Sequence, residues 1–433
     1  MDRNVVVVSD GRPIAAVQQG LARFLPGLDA GLVPLAGDRA LMPGPLARAL
    51  RVEYGAKAVP AILAAIGVTQ AFDIGDEATT ALLRARDVSA LPSRAALRTA
   101  AVVTGDWHLN ACKVPAAWAL VGGPDAIDWS GVRVGQIDTG FTRHPVFGFG
   151  GATWIDLAMG RTFFAGGNPG DEEGPGQGED PLANSEDGHG TKVGSVLCGL
   201  DPAAPGGTYR GVAPKVPLVP VRIANHPLID HAQRQFAQAV DHLVDTARVQ
   251  VINLSMGAVL SPVSREMRRA VNKAYDAGAI LVCAAGNIVR DVVKPARIGR
   301  TLAIAGVGPE LKPWPKSSLG PEVDVSGPAD VIRRAESRRG GRFRYGIGDG
   351  TSFAAAMVSG AAALWLAHRR AGIAAEYAQP WQRVEAFTTL LRANVVVPPV
   401  WNPGAFGSGV LDVEALLRAP LPAASSLTQA APV

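Results

Sequence analysis

The alternation of apolar and polar positions divides the chain into three stretches. Residues 1 to about 100 open with a strand-like run, Val5 to Val8. A helical periodicity follows over Ala15–Phe24, a second around Ala56–Ile66, and a strand-length run at Val68–Ile74. This predicts a small α+β unit, with its boundary between Leu91-Pro92 and Asp106, where Pro, Ser and Arg interrupt the pattern. From about residue 105 to 418, short apolar runs alternate with helical patterns, the signature of βαβ units and a mainly parallel sheet flanked by helices. The predicted strands are Val132–Ile137, Pro217–Ile223, Val249–Leu254, Ala279–Ala284 and Thr301–Val307. One predicted helix spans Asp230–Ala247, with Phe236, Val240, Leu243 and Val244 on one face. Another spans Arg265–Ala277, with Met267, Val271, Ala274 and Tyr275. Residues 419–433, rich in Pro, Ala and Ser, read as a disordered tail. No internal repeat is present.

Composition narrows the class. With 433 residues, 48% of them hydrophobic, and 50 Gly and 33 Pro spread along the length, the chain has the make-up of a loop-rich globular enzyme. A net charge of +4 is small for this size and implies no nucleic-acid partner. Cys112, Cys198 and Cys283 each sit in an apolar stretch and read as buried thiols. Four valines near the N-terminus are too few for a signal-peptide core, so a cytoplasmic protein is expected. The apolar run Gly360–Ala367 is far short of a membrane span. The acid-rich stretch Gly166–Gly188 reads as a surface loop. Its carboxylates suit calcium, but without a regular spacing no metal ligands are assigned and no cofactor is required.

Three segments carry candidate chemistry. In Val132-Arg133-Val134-Gly135-Gln136-Ile137-Asp138-Thr139-Gly140, a buried strand delivers the carboxylate of Asp138 at its C-terminal end, where open α/β sheets place their sites. In Asp187-Gly188-His189-Gly190-Thr191, glycines on both sides of His189 admit close backbone approach and leave the imidazole open to a cleft. In Gly348-Asp349-Gly350-Thr351-Ser352-Phe353, Ser352 opens a helix whose continuation to Leu366 is apolar and mostly small on every side. That helix should be buried, with Ser352 at its tip among unpaired backbone N–H groups.

Together the three segments resemble the subtilisin-like serine peptidases, the subtilase family, over roughly Asp106 to Leu417. The order Asp, His, Ser separates this arrangement from the chymotrypsin and α/β-hydrolase orders. The resemblance implies a catalytic triad of Asp138, His189 and Ser352, and an oxyanion-hole asparagine, Asn287, in Ala284-Ala285-Gly286-Asn287. It further implies that Ser255, Met256 and Gly257, with Ala285 and Gly286, pair with an extended polypeptide substrate and shape its side-chain pocket. The implied activity is a serine endopeptidase acting through an acyl-enzyme. A specialised processing or transamidating enzyme, or a catalytically silent binding protein of the same shape, would carry the same residues. The N-terminal region resembles a propeptide in size and position, which implies self-inhibition, or else a domain recruiting a protein partner. Two positions depart from the family: Ala356 replaces its usual proline, and Lys192 its common second histidine. The Arg-rich stretch Arg333 to Arg344 reads as a solvated hairpin before the nucleophile.

Overall fold

Strands form where the apolar runs predicted them, because each is buried on both faces and bounded by turn residues. The computed structural model describes residues 4–8, 13–24, 32–34, 39–42, 46–47, 49–50, 59–66, 68, 70–74, 106–164, 178–182, 188–287, 289–338 and 342–433. The chain divides near Leu91-Pro92 into two units, each with its own hydrophobic core.

The N-terminal unit contains the strands β1 (Asn4–Val8), β2 (Val33–Pro34), β3 (Arg39–Met42) and β4 (Gln70–Ile74). They form an antiparallel sheet in the order β2-β3-β1-β4. Helices Ile14–Phe24 and Val59–Ala65 accompany it, and Val5, Val7, Val17, Leu21 and Leu63 are buried in its core. This is the α+β unit that the periodicities predict.

The larger unit is built on a nine-stranded sheet. Its strands are β5 (Val134–Asp138), β6 (Arg161–Thr162), β9 (Leu218–Arg222), β10 (Val251–Leu254), β11 (Ile280–Ala284), β12 (Leu302–Val307), β13 (Val323–Pro328), β16 (Val395–Val396) and β17 (Val410–Leu411). Two antiparallel pairs lie outside it, β7 (Leu200–Asp201) with β8 (Tyr209–Arg210), and β14 (Ile332–Arg338) with β15 (Arg342–Gly348). The order is β16-β17-β13-β12-β11-β10-β5-β9-β6, parallel throughout except for β16 against β17. The five predicted strands are the five contiguous members β12, β11, β10, β5 and β9. Strand β5 lies between β9 and β10, so the order reverses beside it, and the crevice past its C-terminal end is where such sheets place ligands.

Strand β13 was not among the predicted strands. Its sequence, Val-Asp-Val-Ser-Gly-Pro, has the composition of a loop. It is accommodated because the buried Asp324 accepts the Ala303 amide at 2.7 Å and the Arg392 guanidinium, so the polar side chain costs the strand little. The helix predicted over Asp230–Ala247 is Gln233–Asp241 followed by a π-helical turn, His242–Thr246. Helix Arg265–Asp276 starts at the Ser264 cap, whose hydroxyl accepts the Met267 amide at 3.1 Å.

Helix Thr351–Glu376 passes against β10, β11, β12 and β13, and against helix His189–Cys198. Every residue from Thr351 to Leu366 is buried. The helix is long and apolar enough to cross a membrane, but 89% of its most apolar window lies inside the domain, as befits a core helix. The three cysteines are free and buried, and burial pushes their thiols up, that of Cys198 to about 12.

The expectation of a disordered tail at 419–433 is corrected. Leu421, Ala424, Leu427 and Ala430 pack against the core, and Tyr377 Oη donates to the Pro422 carbonyl at 2.9 Å. Arg300, whose side chain is almost wholly buried over the Tyr275 ring, donates to the carbonyls of Ala430 and Ala431. Its donors need buried acceptors, and the tail's backbone supplies them. Composition alone gives no sign of this strap.

Two histidines are buried as neutral rings. His144 accepts the Val146 amide through Nδ1 at 3.0 Å, and burial lowers its pKa to about 4. Burial and then the Arg333 charge lower that of His108 to about 3. Below an unfolded value of about 6.5, the unfolded chain binds the extra protons, so stability is present at neutral pH and is lost as pH falls through 6.5 toward 4. Each group contributes a slope of up to about 1.4 kcal/mol per pH unit. His144→Asn, which keeps the acceptor for Val146, should flatten the pH dependence of the urea midpoint between pH 7 and 4.5 by one group's share; an unchanged slope would refute this role for His144.

Candidate active site

Strand register brings the candidate residues level with one another. Ile137 of β5 pairs with Leu254 of β10, and Leu254 pairs with Cys283 of β11. Asp138 and Ser255 therefore leave adjacent strands side by side, about 4.8 Å apart, with Ala284 next in line. Asn287 follows three residues beyond Ala284.

Asp138 is buried, and its Oδ1 accepts the Thr139 amide and a bond from His189 Nδ1, both at 2.7 Å. His189 is the first residue of its helix, and its side chain stays 13% exposed toward the cleft. The pair is this close because the helix has no side chain at its second position. A Cβ on Gly190 would stand 2.0 Å from the carbonyl oxygen of Gly140 and 3.2 Å from Asp138 Cβ. Gln136, two residues before Asp138 on the same face, donates through Nε2 to the Gly190 carbonyl at 2.7 Å and clamps the first turn to β5.

Asp180, at the end of the acid-rich stretch, completes the clamp. Its Oδ2 accepts from Thr139 Oγ1 and the Gly188 amide, each at 3.0 Å, and Thr139 Oγ1 in turn accepts the Gly190 amide at 3.1 Å. Burial pushes the Asp180 carboxyl up, against these donors and the nearby charge of Arg222. Arg222 is itself fully buried and donates to the Thr139 carbonyl at 3.1 Å. Glu179 pairs with Arg143 at 2.5 Å. Among the described residues no cluster of His, Cys, Asp and Glu is arranged to hold a metal. Asp171, Glu172 and Glu173 lie outside the described residues.

Ser352 is the second residue of the buried helix, 6% exposed. Its Oγ makes one bond, donated at 3.4 Å to the Ser255 carbonyl, and none to His189 among the described residues. At that length the bond is weak, and a rotation about Cα–Cβ re-aims the hydroxyl; catalytic contacts commonly tighten only with substrate bound. The Ser352 carbonyl accepts Ser255 Oγ at 3.0 Å, and Ser255 Oγ accepts Asn253 Nδ2 at 3.1 Å. Asn253 Oδ1 accepts Ser359 Oγ, further along the same helix, at 2.9 Å.

The Asn287 carboxamide is oriented by the residue before Ser352. Its Oδ1 accepts both the amide and the hydroxyl of Thr351, at 2.8 and 2.7 Å. Thr351 Oγ1 also accepts the Gly286 amide at 3.1 Å. The oxygen is thus committed, which leaves Nδ2 as the outward donor. Among the described residues neither Asn287 Nδ2 nor the Ser352 amide has a hydrogen-bond partner.

The expected substrate-binding positions are placed beside these groups, but much of their backbone is already engaged. Gly257 donates to Pro227 at 2.9 Å and accepts from Ile229 at 3.1 Å; Ala285 donates to Ile304 and accepts from Val293, each at 2.9 Å. The Gly286 carbonyl accepts the Ser318 amide at 2.8 Å, while Ser255 and Met256 are buried. The Arg-rich stretch does form a hairpin, but it is not uniformly solvated. Arg333 lies against Tyr209 and Tyr345, and the largely buried Arg334 lies over the ring of Phe353. Sequence reasoning missed Thr351, Gln136, Arg222 and Ser359; polar residues inside otherwise apolar runs were the available signal.

The subtilase family matches residues 130–392, more than half of the chain. The chain is similar to the thermostable alkaline protease of Halalkalibacterium halodurans, 29% identical over 236 residues, which are 54% of this chain and 56% of that protein. The chain therefore spans little more than half the length of that relative. It is also similar to subtilisin BL of Lederbergia lenta, 27% identical across 72% of this chain and 98% of that one. In fold it is similar to MycP1 with its N-terminal propeptide removed, at a TM-score of 0.54 and 24% identity, covering 73% of this chain and 98% of that one.

Gly190→Ala should separate the Asp138–His189 pair, because the added methyl meets backbone that cannot yield. We expect a cost of at least about 1–3 kcal/mol and loss of the downfield imidazole N–H resonance of His189 in proton NMR. A folded variant that keeps that resonance unshifted would refute the clamp.

Proposed function

The chain belongs to the subtilase family of serine peptidases, and we propose that it cleaves polypeptides through Ser352, His189 and Asp138 by way of an acyl-enzyme. The observation that carries this reading is the 2.7 Å Asp138–His189 bond at the strand-order reversal, level with the helix that presents Ser352.

Each residue has a role fixed by its chemistry. A neutral serine hydroxyl is a weak nucleophile, so His189 Nε2 takes the Ser352 proton as Oγ attacks the scissile carbonyl carbon. The imidazolium so formed keeps its Nδ1–H on Asp138 Oδ1, which fixes the tautomer and stabilises the charge. Negative charge develops on the carbonyl oxygen, where the Ser352 amide and Asn287 Nδ2 are the two uncommitted donors. The Ser352 amide also lies in the first turn of a long helix, where the backbone dipole favours an anion. Collapse of the tetrahedral species expels the amine, which leaves with the proton from His189. Water then attacks the ester with His189 again as base, releasing the acid and restoring Ser352. None of these steps calls on a metal.

The N-terminal α+β unit is proposed to act as a propeptide-like inhibitor, a role suggested by its size and its place ahead of the peptidase domain. Incubated wild-type protein should then lose that unit while Ser352→Ala remains whole; identical intact masses for the two would exclude self-processing.

A fluorophosphonate probe tests the nucleophile. We expect one adduct, on Ser352, absent from Ser352→Ala and from His189→Ala, and silence before and after limited proteolysis would sink the enzyme reading. Asn287→Ala should lower kcat by about 10²–10³ with KM little changed, the size of effect that removing one oxyanion donor has in subtilisin. A raised KM with kcat intact would instead place Asn287 in ground-state recognition.

A further inference from the structure

Two glycines flank the nucleophile, and the space between them is already taken by a side chain of the chain itself. Gly257 lies two residues past Ser255, and Gly286 immediately precedes Asn287. A Cβ on Gly257 would stand 2.3 Å from Val293 Cγ2, and one on Gly286 would stand 2.8 Å from Val293 Cγ1. Val293 is 6% exposed, so its isopropyl group fills the gap between the two strand ends rather than lining an open wall. Ser318 Oγ narrows the same gap, 2.7 Å from where a Cβ on Gly286 would stand.

The backbone holds Val293 there. Its amide donates to the Ala285 carbonyl at 2.9 Å, and its carbonyl accepts the Arg297 amide at 2.9 Å. The next residue, Lys294, exchanges two backbone bonds with Ala258, at 2.8 and 3.1 Å. The segment is thereby tied to both strand ends at once. Gly257 is fixed from its other side by Pro227 and Ile229, so this wall is not free to withdraw.

We infer that Val293 sets the specificity of the site by closing the space that would receive the substrate side chain on the acyl side of the scissile bond, so that only Gly, Ala or Ser is accepted there. The inference rests on the peptidase reading above. A packed interior resists an added ring or branched chain, and a pocket limited by one isopropyl group discriminates by about 10–200-fold.

The test uses the full-length chain, its Val293→Gly and Val293→Ala variants, and three probes of Ser352. A small fluorophosphonate without a peptide side chain reports the nucleophile. Two peptidyl diphenyl phosphonates, with Ala or Phe at the reacting position, report the pocket. Wild type should react with the Ala probe at least about 10-fold faster than with the Phe probe. Val293→Gly should erase or reverse that ratio, with Val293→Ala intermediate, each peptidyl rate being taken relative to that variant's own fluorophosphonate rate. Val293→Ala removes less packing and keeps the test valid if the glycine variant fails to fold. Equal rates of the two peptidyl probes on wild type, including equal failure of both, overturn the inference alone when the fluorophosphonate labels Ser352. So does a wild-type ratio retained in the folded variants. All three probes are applied before and after limited proteolysis, and absence of fluorophosphonate labelling in both cases overturns the peptidase reading, and this inference with it.

Discussion

The structure depends on a helix that is buried on every side. From Thr351 to Leu366 every residue is buried, and Ala354, Ala355, Ala356, Gly360, Ala361, Ala362 and Ala363 keep the helix narrow enough to run against four strands. Only a helix could occupy that position, because it satisfies its own backbone groups and asks nothing of its surroundings except at its ends. Its N-terminal end, where the Ser352 amide has no partner among the described residues, then falls at the C-terminal edge of the sheet, where the strand order reverses. The serine is placed by packing rather than by a loop.

That packing alone would leave the helix free to rotate or slide, since small apolar side chains offer few unique fits. Buried hydrogen bonds remove the freedom. Ser359 to Asn253, Asn253 to Ser255, and Ser255 to the Ser352 carbonyl tie the helix to β10, while Thr351 ties it to Gly286 and Asn287 beyond β11. Each bond adds only about 1 kcal/mol net, but any register that broke one would leave a buried polar group unpaired at about 1–3 kcal/mol. The network therefore fixes position more than it raises stability. Thr351, the residue before the proposed nucleophile, thus also orients Asn287, the proposed oxyanion donor, through its amide and hydroxyl.

Much of this was legible in the sequence because buried parallel strands and an apolar helix are written as uninterrupted apolar runs. The five central strands, the nucleophile helix, and Asp138, His189, Ser352 and Asn287 all sit at ends of such runs. What escaped notice is what breaks them. Asp324 within β13 looks like a turn until Arg392, nearly 70 positions later, is seen to pair with it. The tail at 419–433 looks unstructured until the buried guanidinium of Arg300 is seen to need its carbonyls. Val293 looks like any core valine, and its meaning depends on two glycines that meet only in space. In each case the deciding partner lies far along the chain, and local composition holds no trace of it.

The same holds for the acid-rich stretch, where composition read as a surface loop and the geometry gives Asp180 a definite use. Its carboxylate accepts the amide of Gly188, the residue before His189, and the hydroxyl of Thr139, the residue after Asp138. One acid thus holds both neighbours of the Asp138–His189 pair, and the Thr139 hydroxyl passes the grip on to Gly190. Burial disfavours its charge, yet three donated bonds and the Arg222 charge oppose that penalty, so the carboxylate is kept where removing any one partner would expose the desolvation of the rest. The close approach of acid and base is therefore not a property of those two residues. It is imposed from outside, by the Asp180 carboxylate, which grips the neighbours of both, and by Gly190, which leaves room for the approach.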